Sequence, residues 1–150
     1  MLSDSLINTL NLNIKSNNYL VCSYIATQSK NKGGYLAIEA DKDGFLLEGS
    51  LSTVAVLLKN GDFVVPPVDR IIPGTTAIKI FKFIEQEVVP KQLLSIDYIK
   101  RVVRRDILIT EAIAEANEVM LLSGEECVPV LEWDGVKIND GKKGQAVKLF

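Results

Sequence analysis

The sequence predicts a mixed α/β domain, because candidate strands and helices alternate along the chain and several neighbouring strands are joined as hairpins. The turns Asp43-Gly44 and Asn60-Gly61 lie between apolar segments, a strong short-range indication of a hairpin. The chain has 150 residues and is 47% hydrophobic, which is enough for one domain with a buried core. Together these observations favour a mixed sheet over a doubly wound parallel sheet.

The first half of the chain is predicted to contain a lead-in segment, one helix and four strands, at residues 1–14, 18–32, 35–41, 45–48, 52–59 and 62–65. The lead-in is rich in Asn and Ser and lacks periodicity. The helix has apolar residues on one side and ends at Gly33-Gly34. Asn60-Gly61 indicates a type I′ turn, and Pro66-Pro67 ends the fourth strand.

In the second half we expect three helices and four extended segments, at residues 75–89, 110–116 and 145–150 and at residues 93–103, 119–122, 128–133 and 136–138. Thr75 or Thr76 is predicted to cap the first of these helices, directly after the turn Pro73-Gly74. Glu111 in the first turn of the second helix complements the helix dipole. Asp134-Gly135 forms a turn between the last two strands.

Composition excludes several classes of function. The chain has no histidine, so it contains neither a Ser-His-Asp triad nor a histidine-ligated metal site. A net charge of -2 gives no nucleic-acid footprint, and the cluster of Lys100, Arg101, Arg104 and Arg105 is typical of a solvated strand edge. No apolar segment is long enough to cross a membrane, and we see no signal peptide. Two isolated cysteines favour a reducing, cytoplasmic location without a metal site.

Three short motifs carry most of the functional information. The first is Lys15-Ser16-Asn17-Asn18-Tyr19-Leu20, at the start of the first helix. The second is Glu48-Gly49-Ser50, after a strand, and the third is Ile72-Pro73-Gly74-Thr75-Thr76, before a helix. Each motif alone is also explained by a surface lysine, a hairpin, or a turn with a helix cap. Their order and spacing are what point to a function.

In this order the motifs resemble the cofactor site of the fold-type IV (class IV) pyridoxal-phosphate enzymes. That family includes branched-chain and D-amino-acid aminotransferases and aminodeoxychorismate lyase, and the chain looks closest to its plant D-amino-acid aminotransferase branch. The similarity extends through 116–124 and 129–144, so it spans about residues 14–150. The resemblance implies that residues 15–150 form the large pyridoxal-phosphate-binding domain, a mixed sheet curled towards a pseudo-barrel with helices outside. It also implies that the family's small N-terminal domain is absent here and that the C-terminal helix is cut short.

The resemblance assigns a role to five residues. Lys15 is implied to hold pyridoxal 5'-phosphate as a Schiff base and to move the proton at the substrate Cα, because desolvation lowers the pKa of such a lysine. Glu48 is implied to keep the pyridine nitrogen protonated. Thr75 and Thr76 are implied to bind phosphate at a helix N-terminus, and Tyr19 to lie against the ring or its 3-hydroxyl.

Two segments depart from the family pattern. Leu51 and Thr53 stand where the family usually has Gly and Asn. After Gly124 the family usually has a small-residue loop with a Thr or Ser for the phosphate, whereas this chain has Glu125-Glu126. Carboxylates that faced a phosphate would repel it.

The function expected from the resemblance is transfer of an amino group between an amino acid and a 2-oxo acid. Aminodeoxychorismate lyase is the alternative within the family, and a non-catalytic fragment or remnant of the large domain is the alternative outside enzymes. The expected partners are a small amino acid, a 2-oxo acid and a second copy of the chain as a homodimer, with no nucleic acid and no membrane. The stereochemistry of the substrate stays open.

Overall fold

The computed structural model describes residues 19–72, 74–95, 97–124 and 126–150. Its helices are α1 (Leu20–Asn31), α2 (Thr75–Phe83), a π-helical segment (Ile84–Val88), α3 (Val89–Lys91), α4 (Ile109–Glu115) and α5 (Gln145–Leu149). Its strands are β1 (Ile38–Ala40), β2 (Leu46–Gly49), β3 (Thr53–Leu58), β4 (Asp62–Val65), β5 (Arg101–Arg104), β6 (Ala116–Ser123), β7 (Glu126–Val130), β8 (Glu132–Trp133) and β9 (Val136–Lys137). Among these described helices, none has the length and apolar character needed to cross a membrane. The predicted lead-in, 1–14, lies outside the described residues.

A five-stranded mixed sheet forms the centre of the domain, in the order β5-β4-β3-β6-β7. β4 and β5 are parallel and the other neighbours are antiparallel, which confirms the predicted mixed sheet. β3 lies in the middle, and all six of its residues are buried. Within the described residues β5 and β7 remain edges, so the sheet does not close into a barrel.

The two faces of the sheet carry separate apolar cores because side chains alternate along β3. Val54 and Val56 pack with Leu46 of β2, Ile107 and Trp133 on one face. Ala55 and Leu57 point to the other face, which α2, the π-helical segment and α5 cover. β3 is therefore continuously apolar from Val54 to Leu58, as expected for a strand buried on both sides.

The predicted hairpin at Asn60-Gly61 is confirmed, but the predicted type I′ turn is wrong. A type I′ turn needs a positive φ at both central residues. Gly61 has one (φ +90°), whereas Asn60 does not. The Gly61 N–H donates to the Leu58 carbonyl at 2.9 Å, and the Asp62 N–H donates to Asn60 Oδ1 at 2.9 Å. The connection is a three-residue loop with its glycine in the left-handed position.

The predicted cap of the long helix is also wrong, by one residue. The N-cap is Gly74, whose backbone is extended (φ -68°, ψ 133°), and Thr75 and Thr76 are already helical. The helix continues through the π-helical segment and α3 to Lys91, so it includes Pro90, and the predicted end at about residue 89 is wrong by two residues. Pro90 has no N–H for the preceding turn, and a π-helical turn next to it changes the hydrogen-bond register at that point.

Among the described residues of the expected extended segment 93–103, only the last three lie in a strand, which is Arg101–Arg104. Gln92 ends α3 in a left-handed conformation (φ 49°), and the Tyr98 N–H donates to the Ser95 carbonyl in a turn. β5 itself is the edge strand with the basic cluster. Arg101 pairs with Asp62, and Arg105 pairs with Glu111, so this edge is an ion-paired surface.

Candidate functional site

Segments from three parts of the chain meet at one end of the sheet. Thr53, the first residue of β3, pairs with Leu122 near the end of β6. Gly74 lies directly against Thr53, because a Cβ built on Gly74 would be 2.7 Å from Thr53 Oγ1. The Thr76 hydroxyl donates a hydrogen bond to the carbonyl of Gly124, just beyond β6. We call the group of Thr53, Gly74, Thr75, Thr76 and Gly124 the sheet-end site.

The N-terminus of α2 supplies the hydrogen-bond donors of this site. The first intrahelical bond runs from the Ile78 N–H to the Gly74 carbonyl at 3.1 Å, and no side chain caps the helix. The N–H groups of the first turn are therefore available to an anion, and the helix dipole adds partial positive charge there. The Thr75 side chain is exposed beside these amides, whereas the Thr76 hydroxyl already donates its proton to the Gly124 carbonyl. This donor set fits a phosphate group.

Glu48 lies on β2, the strand that precedes β3 and leads into the sheet-end site through a tight turn. It is a half-buried residue of β2, directly before the turn that leads into β3. The Gly49 N–H donates to the Ser52 carbonyl at 2.8 Å, and the Ser50 N–H donates to the Ala37 carbonyl at 3.0 Å. A Cβ on Gly49 would be 2.3 Å from Ser52 Oγ, so this tight turn requires glycine. The backbone that carries Glu48 is thus fixed relative to Thr53.

The first motif is less completely described. Lys15 lies outside the described residues. Tyr19 is the N-cap of α1, its carbonyl accepts a hydrogen bond from the Ser23 N–H at 2.8 Å, and its side chain is 43% exposed. The structure therefore brings Glu48, Thr75 and Thr76 towards one end of the sheet but does not bury Tyr19 among them.

Arg70 links the β1–β2 turn to the connection that follows β5, and sequence reasoning missed it. It lies in the connection between β4 and α2, and its guanidinium pairs with Asp41 in the β1–β2 turn and with Asp106. It also lies 5.8 Å from the ring centroid of Phe45. Partial burial pushes the pKa of Asp41 upwards, but hydrogen bonds from the Phe45 N–H and from Arg70 outweigh it and lower that pKa. A single arginine in a loop carries no local sequence signal for these distant partners.

A second polar cluster lies away from the sheet-end site, around Glu118 of β6. Its carboxylate accepts hydrogen bonds from the Tyr98 hydroxyl (2.7 Å) and from the N–H groups of Ala146 (2.9 Å) and Val147 (3.1 Å). The small cleft beside it, about 10 Å³, has room for roughly one water molecule. This cluster anchors the start of α5 and is too small to hold an amino acid.

The sequence of the chain matches one family and several of its members. The family profile described as amino-transferase class IV matches residues 3–133. The chain is 34% identical to the D-amino-acid transaminase, chloroplastic, of Arabidopsis thaliana over 139 aligned residues. This alignment covers 91% of this chain and 35% of that protein. It is 29% identical over 140 residues to the D-alanine aminotransferase of Bacillus licheniformis, which covers 93% of this chain and 45% of that protein.

Solved structures show the same fold. The branched-chain amino acid aminotransferase of Escherichia coli matches with a TM-score of 0.77 and 26% identity, over 95% of this chain and 44% of that chain. The branched-chain amino acid aminotransferase of Thermobaculum terrenum in its PLP-form matches with a TM-score of 0.80 and 22% identity, over 95% of this chain and 44% of that chain. The chain thus spans less than half the length of these relatives.

Proposed function

Because the chain belongs to the class IV aminotransferase family, we propose that it is the pyridoxal-phosphate-binding part of an enzyme that transfers an amino group between an amino acid and a 2-oxo acid. The observation that carries the proposal is the sheet-end site. There the uncapped N-terminus of α2 lies against Thr53, and Thr76 is bonded to Gly124. A phosphate dianion is the ligand that this set of amides and hydroxyls suits.

Each residue has a distinct task in this proposal. The amides of Thr75 and Thr76 bind and orient the phosphate. Glu48 faces the pyridine nitrogen and holds its proton, and Tyr19 lies against the ring. Lys15 binds the cofactor through its amine and, once substrate has displaced it, moves a proton at the substrate Cα. When bound, pyridoxal phosphate supplies the electron sink that this proton transfer needs.

The names of the relatives guide the choice of substrate. Both curated relatives are named for D-amino acids, whereas the matched structures are named for branched-chain amino acids. We propose a D-amino acid or a branched-chain amino acid as amino donor and a 2-oxo acid as acceptor. A panel of D- and L-alanine and D- and L-leucine with 2-oxoglutarate, assayed for the oxo-acid product, distinguishes these substrates.

We also propose that the chain works as a homodimer in the cytoplasm. Large apolar side chains are exposed on α1 and near the sheet-end site, among them Leu20, Tyr24, Tyr35 and Leu51. Exposed apolar area of this kind favours association. Sedimentation equilibrium over a wide concentration range tests the dimer, which a concentration-independent monomer would contradict. Cell fractionation tests the location, because the Arabidopsis relative is named as chloroplastic.

Lysine labelling is the decisive test of the cofactor assignment. The chain with added pyridoxal phosphate should give a visible absorbance band, and borohydride reduction should fix the cofactor on the peptide that contains Lys15. Lys15→Ala should abolish both signals without unfolding the protein, because such a lysine is rarely a source of stability. Lys30→Ala is the matched control, since Lys30 is an exposed lysine of α1.

Two results would contradict the assignment. Label on another lysine of the folded protein, with none at Lys15, would reject Lys15 as the anchor. No band at saturating pyridoxal phosphate would instead support the alternative that this chain is a non-catalytic fragment of the large domain.

A further inference from the structure

Thr53 combines almost complete burial with an unsatisfied hydroxyl. The residue is 3% exposed, and its backbone pairs with Leu122 in the centre of the sheet. Within the described ranges, its hydroxyl has no hydrogen-bond partner, while every fully sealed side-chain nitrogen or oxygen atom there has one. Thr53 Oγ1 must therefore be part of the small surface of this residue that solvent still reaches.

The direction of this hydroxyl is set by its contact with Gly74. A Cβ built on Gly74 would lie 2.7 Å from Thr53 Oγ1 and 3.8 Å from Thr53 Cβ, and the Thr53 methyl group is not among the closest atoms. The oxygen, and not the methyl group, thus faces the N-cap of α2. The first-turn amides of this nine-residue helix begin at the same point.

A hydroxyl that is largely shielded from solvent and has no partner in the protein adds nothing to the stability of the fold, whereas valine has nearly the same shape and avoids the cost of desolvating a hydroxyl. A threonine at this position therefore indicates that the hydroxyl gains a partner in some state of the protein. The partner has to approach the N-terminus of α2, where partial positive charge favours an anion.

We propose that the Thr53 hydroxyl is a further phosphate-binding group of this chain and donates a hydrogen bond to the phosphate held at the N-terminus of α2. The inference rests on the proposed function, because the phosphate is that of the cofactor. Thr53 joins Thr75, Thr76 and the helix amides around one anion. In this way the first residue of the central strand, β3, contacts the cofactor directly.

The test compares two substitutions and two ligands. Thr53→Val keeps the shape and removes the hydroxyl, whereas Thr53→Ser keeps the hydroxyl. Binding of pyridoxal phosphate and of pyridoxal, which lacks the phosphate, is measured by absorbance titration of the 150-residue chain. Urea unfolding without ligand is measured in parallel. Thr110→Val, at an exposed position in α4, controls for the exchange of threonine for valine.

The expected result separates binding from stability. Thr53→Val should weaken pyridoxal phosphate binding by about tenfold, the effect of one charge-assisted hydrogen bond, and should leave pyridoxal binding unchanged. The unliganded Thr53→Val protein should be at least as stable as the parent. Thr53→Ser and Thr110→Val should bind both ligands as the parent does.

Three results would overturn the inference. Unchanged phosphate-ligand affinity in Thr53→Val would show that the hydroxyl contributes nothing, and an equal loss for both ligands would show a packing role. If Thr53→Val does not fold, Thr53→Ala replaces it. The affinity for pyridoxal phosphate relative to that for pyridoxal then decides in the same way whether the hydroxyl contacts the phosphate. A parent chain that binds neither ligand would overturn the proposed function itself, and this inference with it.

Discussion

Glu118→Gln is expected to destabilise the domain strongly, because the Glu118 carboxylate holds α5 against the sheet. The side chain is 4% exposed and accepts three hydrogen bonds, from Tyr98, Ala146 and Val147. The two backbone donors belong to the first turn of α5, so the negative charge also faces the positive end of the helix dipole. Gly144 leaves no space for relaxation, because a Cβ there would lie 2.1 Å from Glu118 Cδ.

The size of the expected destabilisation follows from the hydrogen bonds that the glutamine amide cannot accept. Glutamine keeps one accepting oxygen but turns an NH₂ group towards a donor, so at least one charge-assisted bond is lost, worth about 1.5–3 kcal/mol. Loss of the charge at the helix end adds about 0.3–2 kcal/mol. We therefore expect the free energy of unfolding to fall by about 3 kcal/mol.

Urea unfolding followed by circular dichroism measures this difference, with two controls. Tyr98→Phe removes one of the three bonds and should cost about 1.5 kcal/mol. Glu115→Gln changes an exposed glutamate of α4 and should have no effect beyond about 0.5 kcal/mol. A loss of less than about 1 kcal/mol in Glu118→Gln would refute the anchoring role.

The pKa of Tyr98 gives an independent check. Burial, and then the hydrogen bond to Glu118, raise the pKa of Tyr98 from 10.0 to about 12. Because the folded state holds this proton more tightly, the stabilisation is complete below pH 10 and is lost as the pH rises from about 10 to 12. Glu118→Gln leaves the larger cause, burial, in place and should therefore lower the pKa of Tyr98 only in part, and an unchanged pKa would contradict the contribution assigned to Glu118.

Three further predictions follow from the site and its surroundings. Gly74→Ala should lower the free energy of unfolding by about 1–3 kcal/mol, because its Cβ would overlap Thr53 Oγ1, and Thr53→Ala in the same chain should restore part of that loss in a double-mutant cycle. Glu48→Gln should leave the fold and cofactor binding intact but slow any amino-transfer half-reaction by orders of magnitude in single-turnover assays, whereas an unchanged rate would return Glu48 to a purely structural role. Burial, with a smaller contribution from Glu118, raises the pKa of Cys127 to about 11, so its alkylation by iodoacetamide in a Cys22→Ser variant should still accelerate above pH 10, and a plateau below that pH would contradict the raised pKa.

Local chemistry determined what could be predicted from the sequence about the fold. Gly33-Gly34 ends α1 and Asn60-Gly61 makes a hairpin, because glycine and asparagine act within a few residues of themselves. The predicted type of that turn is wrong, since Asn60-Gly61 occurs in three-residue loops with a left-handed glycine as well as in two-residue turns. Residues 93–100 are apolar enough to suggest a strand, but the described residues among them form bends and turns instead.

The candidate site was predictable in its motifs and not in its contacts. Thr76 was identified from its position after Pro73-Gly74, but its partner Gly124 comes from the other half of the chain. Arg70 and Glu118 have partners that only the folded chain brings near. Arg70 lies in no recognisable local pattern, and the family pattern at 116–124, which includes Glu118, does not indicate the partners of that residue. Sequence periodicity reports which face of an element is apolar, whereas such contacts depend on how the elements pack.

The pairing of β3 with β6 has a consequence for the order in which this protein is made and folded. β3 can form its hairpin with β4 as soon as residue 65 is synthesised, but its other neighbour ends at Ser123. Until then one edge of a strand that is apolar from Val54 to Leu58 stays open, and open edges of this kind recruit strands from other chains. Closing the long intervening loop costs entropy before the contact is gained, so this step is expected to limit the folding rate. The proposed phosphate-binding site is therefore incomplete in a nascent chain until Gly124 has left the ribosome, and we expect cofactor present during synthesis to favour the closed sheet over aggregation.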